Sequence, residues 1–228
     1  MSESRIKEAL AAIQPGQRIV LDPLAGPPVD ANRWFKVREP GEVDTGLFAW
    51  RNRPDFVPSC ERHNHRHRSI GDIAPPHIQF VGRQDQLSDF YQYGDTFFIS
   101  ERVFQELVRL DPAAIDWLEV RPEGVSVSYY YCLPRRCLDA IAEQSTKVIV
   151  SSKAIFSGSQ EYMTWVTAEN DLFYVRSDVP SSIHCFVMFY RSGALWSREL
   201  VEATIKCGAK GIYFRPTSTN SEEQTIRI

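Results

Sequence analysis

Two stretches of the chain carry a helical apolar stripe held between strands, and they limit the possible folds more than any other feature. In "DTFFISERVFQELVRLDP", Ser100 stands where a helix N-cap belongs and Glu101 suits the positive helix start. Val103, Phe104, Leu107 and Leu110 line one face of that helix, and Asp111-Pro112 ends it before "IDWLEVRP" resumes as a strand. In "ALWSRELVEATIKCGAKGIYFRP", Ser197 caps, Leu200, Val201, Thr204 and Ile205 share a face, and Gly208 suits the helix end. Both units run serine cap, amphipathic helix, strand, Arg-Pro; coincidence between two common helix-then-strand units is the expected reading, with a weak internal duplication as the alternative.

Around these helices the texture is that of strands. "HIQFVG", "VSVSYYYCLP", "KVIVSS", "MTWVTA" and "LFYVRS" alternate or run apolar, and "RRCLDAIAEQS" reads as a further short helix. "IHCFVMFYRS" is the most apolar strand and is expected at the centre of the sheet. The first third differs: "DPLAGPPVD", "REPGEVDTG" and "NRPDFVPS" break it before a long period can build, leaving room for short strands such as "RWFKV" and "GLFAW". The expected class is α+β, a mixed and mostly antiparallel sheet with two main amphipathic helices and a loop-rich N-terminal third. The expected division is a loop-rich region over 1–75 and an α+β domain over 76–228, with one continuous domain as the alternative. The polar tail "TSTNSEEQTIRI" is expected to fray.

At 228 residues the chain is long enough to bury a core without a metal or disulfide staple. Its 43% hydrophobic and 24% charged residues exclude a disordered chain. A net charge of −3 gives no general attraction to nucleic acid. Local basic clustering occurs once, where Arg51, Arg53, Arg62, Arg66 and Arg68 face only Asp55 and Glu61. The N-terminus lacks the apolar run of a secretory signal and no window reaches membrane-span length, so a cytoplasmic protein without membrane contact is expected. Cys60, Cys132, Cys137, Cys185 and Cys207 are odd in number and form no CxxC pair, in keeping with reduced structural thiols.

"HNHRHRS" is the most suggestive chemical motif. In an extended segment His63, His65 and His67 would share a face, and three imidazoles with Cys60 as a fourth ligand can hold zinc. A metal-dependent hydrolase or nuclease built on them is the alternative function. Against it, Arg62, Arg66 and Arg68 place positive charge beside a dication, and no carboxylate is interleaved to orient the rings. The nuclease motif with the same letters spreads its residues over a ββα unit, which three near-adjacent histidines cannot build. A solvated loop is the expectation, with no metal and no cofactor. Nucleophile elbows, phosphate-binding glycine loops and H-E-x-x-H are absent from the sequence, and Ser152-Lys153 reads as ordinary surface neighbours.

A more informative segment for binding is acidic and aromatic. Glu161, Glu169, Asp171 and Asp178 are opposed between Lys153 and Arg191 only by Arg176, with Tyr162, Trp165, Phe173 and Tyr174 among them. Aromatic anchors with surrounding charge are what protein interfaces use, although ordinary strands with acidic turns show the same letters. Two candidate surfaces follow. The first, with Tyr162, Trp165, Glu169, Asp171 and Asp178, suits a basic partner; the second, with Arg62, Arg66 and Arg68, suits an acidic one.

From Asp95 to Pro216 the order of pieces resembles a known family. "DTFFISERVFQELVRLDPAAIDWLEVRP", "YYYCLPRRCLDAIAEQST", "DLFYVRSDVPSSIHCFVMFY" and "LWSRELVEATIKCGAKGIYFRP" resemble the bacterial immunity proteins of polymorphic-toxin and type VI secretion systems, families forty-three and eleven, the latter formerly a domain of unknown function. The histidine-rich N-terminal third lies outside that likeness. The resemblance implies a non-enzymatic antidote that stays in the producing cell's cytoplasm and covers a cognate protein toxin. It transfers no catalytic residue and does not name the toxin.

Overall fold

The computed structural model describes residues 4–39, 47–51, 70, 75–154, 160–189 and 193–228. In chain order these contain α1 (Arg5–Ala12), β1 (Arg18–Leu21), β2 (Trp34–Arg38), β3 (Leu47–Trp50), β4 (Ile78–Val81), β5 (Phe90–Tyr93) and β6 (Thr96–Ser100). Then come α2 (Glu101–Leu110), β7 (Ile115–Val120), β8 (Tyr129–Pro134), β9 (Cys137–Leu138), β10 (Val148–Ala154) and β11 (Tyr162–Ala168). β12 (Cys185–Met188), β13 (Ala194–Ser197), α3 (Arg198–Lys206), β14 (Tyr213–Pro216) and β15 (Ile226–Arg227) complete the set. The class is α+β and the strand pairing mostly antiparallel, but the strands form four sheets where one was expected.

A six-stranded sheet, β15-β14-β2-β13-β12-β9, forms the middle of the molecule. Apart from Arg38, the strands β2, β12 and β13 are buried on both faces, so alternate residues enter two different cores. Phe35, Val37, Cys185, Val187, Trp196 and Phe214 point to one, with Val103, Phe104 and Leu107 of α2, Leu200 and Val201 of α3, and Phe90, Phe97 and Ile99 from the four-stranded sheet β5-β6-β8-β7. Trp34, Phe186, Met188 and Leu195 point to the other, with Ile6 and Ala9 of α1 and the inner faces of β10 and β11 from the sheet β1-β10-β11. A third core lies between the far side of the four-stranded sheet and the β3-β4 pair, where Phe48 stacks on Tyr91 at 4.0 Å between ring centroids.

The two helix units noted in the sequence share more than local order. β6 and β7 flank β8, antiparallel to both; β13 and β14 flank β2 in the same way. With the preceding hairpin strands, the orders β5-β6-β8-β7 and β12-β13-β2-β14 match strand for strand. The residue before each first strand accepts a hydrogen bond from the helix-capping serine: Ser100 N to Asp89 O at 3.1 Å, and Ser197 N to His184 O at 2.9 Å. The helices are tied at opposite ends, Arg102 Nη1 of α2 reaching Gly208 O past the end of α3 at 3.1 Å.

Several elements depart from the sequence expectation. The short helix expected over "RRCLDAIAEQS" is instead β9, a bridge from Ile141 to Val175, and a turn. The extended form lets Arg136 O and Leu138 O accept from Val187 N at 2.9 Å and Phe189 N at 3.0 Å. "LFYVRS" is not a strand either; only Val175 bridges, after a turn in which Asn170 and Asp171 take φ of 52° and 64°. β12 is fully buried yet lies next to the two-residue edge strand β9, while β2 and β13 hold the centre. Its apolarity reflects two covered faces and not a middle position. Helix α1, capped by Ser4, was not anticipated, because only Ile6 and Ala9 mark its buried side.

The first third supplies α1, β1, β2 and β3, and all three of these strands pair with strands from beyond residue 75: β1 with β10, β2 with both β13 and β14, and β3 with β4. The final residues also pair, through β15 and Ile228 N to Ile212 O at 3.1 Å, where a frayed tail was expected.

Candidate partner-binding surfaces

β11 forms one edge of the three-stranded sheet, and its alternation decides what it shows to solvent. Val166 and Ala168 face the core, which turns Met163, Trp165 and Thr167 outward. Register places Trp165 beside Ser151 of β10 and Arg18 of β1, with Lys153 opposite Met163. Together Arg18, Ile149, Ser151, Lys153, Trp165 and Thr167 line an open groove of about 630 Å³. Trp165 is 51% exposed and Tyr162, at the start of the strand, 46%. Glu169 follows the end of β11 and is held by Lys147 at 2.9 Å, which also lies 3.7 Å from Asp22.

The other carboxylates of the acidic segment have different surroundings. Asp171 is a counter-ion within the fold: Lys36 Nζ approaches its Oδ2 at 2.6 Å and also donates to its main-chain oxygen, Arg215 lies at 3.2 Å and Arg38 at 3.8 Å. The Lys36 side chain is almost wholly buried and sits 5.0 Å from the Phe173 ring centroid. Asp178 stays on the surface, bonded to Arg176 Nε at 2.9 Å, and that hydrogen bond holds its carboxyl below the usual range. The structure thus gathers Tyr162, Trp165 and Glu169 along one strand and its end, and leaves Asp171 and Asp178 in separate settings. Arg62, Arg66 and Arg68 lie outside the described residues, as do His63, His65 and His67.

Sequence reasoning missed Lys36, Arg38 and Arg215 around Asp171, and Arg18 and Lys153 beside Trp165. No spacing could have pointed to them, because each set converges from strands remote in the chain.

The pair that most resembles catalytic chemistry is His184 with Ser197, Nδ1 to Oγ at 2.8 Å. Ser197 is fully buried, and its oxygen also accepts from Leu200 N at 3.2 Å, the N-cap bond of α3. Asp111, the carboxylate beside this pair, accepts from the His184 backbone N at 2.9 Å and from Arg136 Nη1 at 2.6 Å; it does not bond the imidazole. This network ties the end of α2 to the strand pair that precedes α3. Among the described residues no three His, Cys, Asp or Glu side chains are grouped to hold a metal. Burial pushes the thiols of Cys132 and Cys185 well up, which leaves them protonated and poor nucleophiles. Among the described residues no helix is long and apolar enough to cross a membrane.

No curated protein matches the chain. A family model does, described as Immunity protein family (Imm11), over residues 28–219. The match begins ahead of β2 and runs past β14. It therefore takes in most of the N-terminal third, which the sequence resemblance had left outside, and agrees with β2 lying between β13 and β14. Matched by that model over residues 28–219, well over half of its length, the chain belongs to the Imm11 immunity protein family.

Proposed function

We propose that this protein is the antidote to a secreted toxin of the polymorphic-toxin or type VI class, held in the cytoplasm of the producing bacterium and acting by binding. The observation that carries the reading is the family match across residues 28–219. An immunity protein has a protein toxin as its partner, and occlusion of the toxin requires a shaped surface and no chemistry of its own. The outward face of β1, β10 and β11 offers such a surface, with Trp165 as a half-exposed aromatic anchor in an open groove; Tyr162, also about half exposed, begins the same strand on the alternate side. Glu161, Glu169 and Asp178 are the acidic groups of the segment that reach the surface; Asp171 holds cations of the fold.

The test is co-expression with the product of the adjacent gene. Cells making that product are expected to grow only when this chain is present, and the two proteins to co-purify as a stoichiometric complex. Trp165→Ala is expected to weaken the complex at least tenfold while leaving the melting midpoint within about 2 °C, since the ring packs no core. Multiple turnover of a substrate by the purified chain, abolished by one substitution, would overturn the reading.

A further inference from the structure

On the side of the six-stranded sheet that carries Trp34, the edge toward β15 holds a row of cations. Arg38 is opposite Tyr213, and Tyr213 is opposite Arg227; one step along, Lys36 is opposite Arg215. Residues paired across antiparallel strands share a face, so four positive side chains and one tyrosine project together. The described carboxylates bonded to them are two: Asp171, which serves Lys36, Arg38 and Arg215, and Glu222, bonded to Arg227. The inner pair is fixed, Lys36 and Arg215 having side chains only 8% and 21% exposed. The outer pair is presented, Arg38 at 57% and Arg227 at 54%, with the Arg227 guanidinium 5.2 Å from the Tyr213 ring centroid.

Among the described residues these four cations thus outnumber the carboxylates bonded to them by two, although the chain as a whole is at −3. Arg215 is bonded to Asp171 through Nη2, but its Nε is buried with no hydrogen-bond acceptor among the described residues, and burial together with Arg38 makes its cation harder to keep. Asn170 and Asp171 take left-handed backbone angles, uncommon for residues with side chains, to bring the Asp171 oxygens onto Lys36. The segment that looks acidic in sequence therefore sits, once folded, beside a surface of the opposite sign.

We infer that Arg38, Tyr213 and Arg227 form a docking surface for an acidic segment of the protein toxin, with Asp or Glu side chains paired to the two outer arginines across the tyrosine. The inference rests on the immunity reading above. Guanidinium groups take carboxylates in a two-pronged geometry, and arginine and tyrosine are common interface anchors. A nucleic acid fits less well, because two exposed arginines on a chain of net negative charge give little counterion release.

The experiment measures affinity of the full chain for the adjacent gene's product by calorimetry at 50 and 300 mM salt. Three chains are compared: wild type, Arg38→Glu with Arg227→Glu, and Arg38→Lys with Arg227→Lys. Charge reversal is expected to weaken binding at least a hundredfold at low salt and to flatten the salt dependence, while the lysine pair stays within about tenfold. If reversal lowers the melting midpoint, Arg38→Gln with Arg227→Gln replaces it, with at least a tenfold loss expected. A wild-type complex whose affinity these substitutions change by less than threefold overturns this inference alone. No complex with wild type overturns the proposed function and this surface with it. Wild-type binding to a mixed-sequence RNA or DNA, lost in the reversed pair, assigns the face to a polyanion and also overturns the inference.

Discussion

Ser100 and Ser197 open equivalent helices, and their hydroxyls behave differently. Ser197 Oγ accepts from Leu200 N and meets His184, whereas Ser100 Oγ makes no cap bond and is buried without a partner among the described residues. Replacing Ser197 by alanine removes a cap and leaves an amide unmet, a loss of about 1–2 kcal/mol. Ser100→Ala removes only a hydroxyl that has no bond to lose, and is expected to be neutral or slightly stabilising. Urea titration of the two variants reads the difference; equal losses would show that the sequence pattern alone sets cap strength. The letters supported both caps equally, and only the side-chain geometry separates them. Asp171 teaches the same lesson for charge. Its neighbours in sequence are acidic, but its neighbours in space are Lys36, Arg38 and Arg215, so the sign of its surroundings was hidden by chain distance.

At the scale of elements, the helices α2 and α3 were legible because each presents its apolar stripe within ten residues or fewer, and Gly208, with φ of 74°, ends α3 where expected. Elements defined by remote partners were not. Cys137 and Leu138 become strand because β12 offers a pairing edge, and the place of β12 in the sheet depends on β2, from the other end of the chain. Composition could single out Trp165 as a candidate; that it is half exposed on a face also holding Arg18 and Lys153 required the register of β1 and β10. If β2 completes the central sheet, a fragment of residues 76–228 leaves β13 and β14 without the strand between them. Such a fragment is expected to lack a cooperative melt and to aggregate, and addition of residues 1–75 as a separate chain to restore part of the transition. Circular dichroism with light scattering checks this; a soluble fragment with a sharp melt would establish the boundary at 75.

At the scale of the whole molecule, α2 and α3 lie in one core that reaches both the six-stranded and the four-stranded sheets. Loosening that core should be felt by both sheets at once. Leu107 is fully buried there, and Leu107→Ala is expected to cost about 3 kcal/mol. Tryptophan fluorescence and far-ultraviolet dichroism should still give coincident transitions in urea with an unchanged slope. Separated transitions would mean that the sheets unfold independently. The position of β2 also has a consequence in time. It ends at Arg38, while the strands on either side of it begin at Ala194 and Tyr213, so a ribosome must deliver nearly the entire chain before the middle of the molecule can close. Under the proposed function, protection would therefore lag behind translation, and a cell that starts making toxin and antidote together would be exposed for the interval between the two.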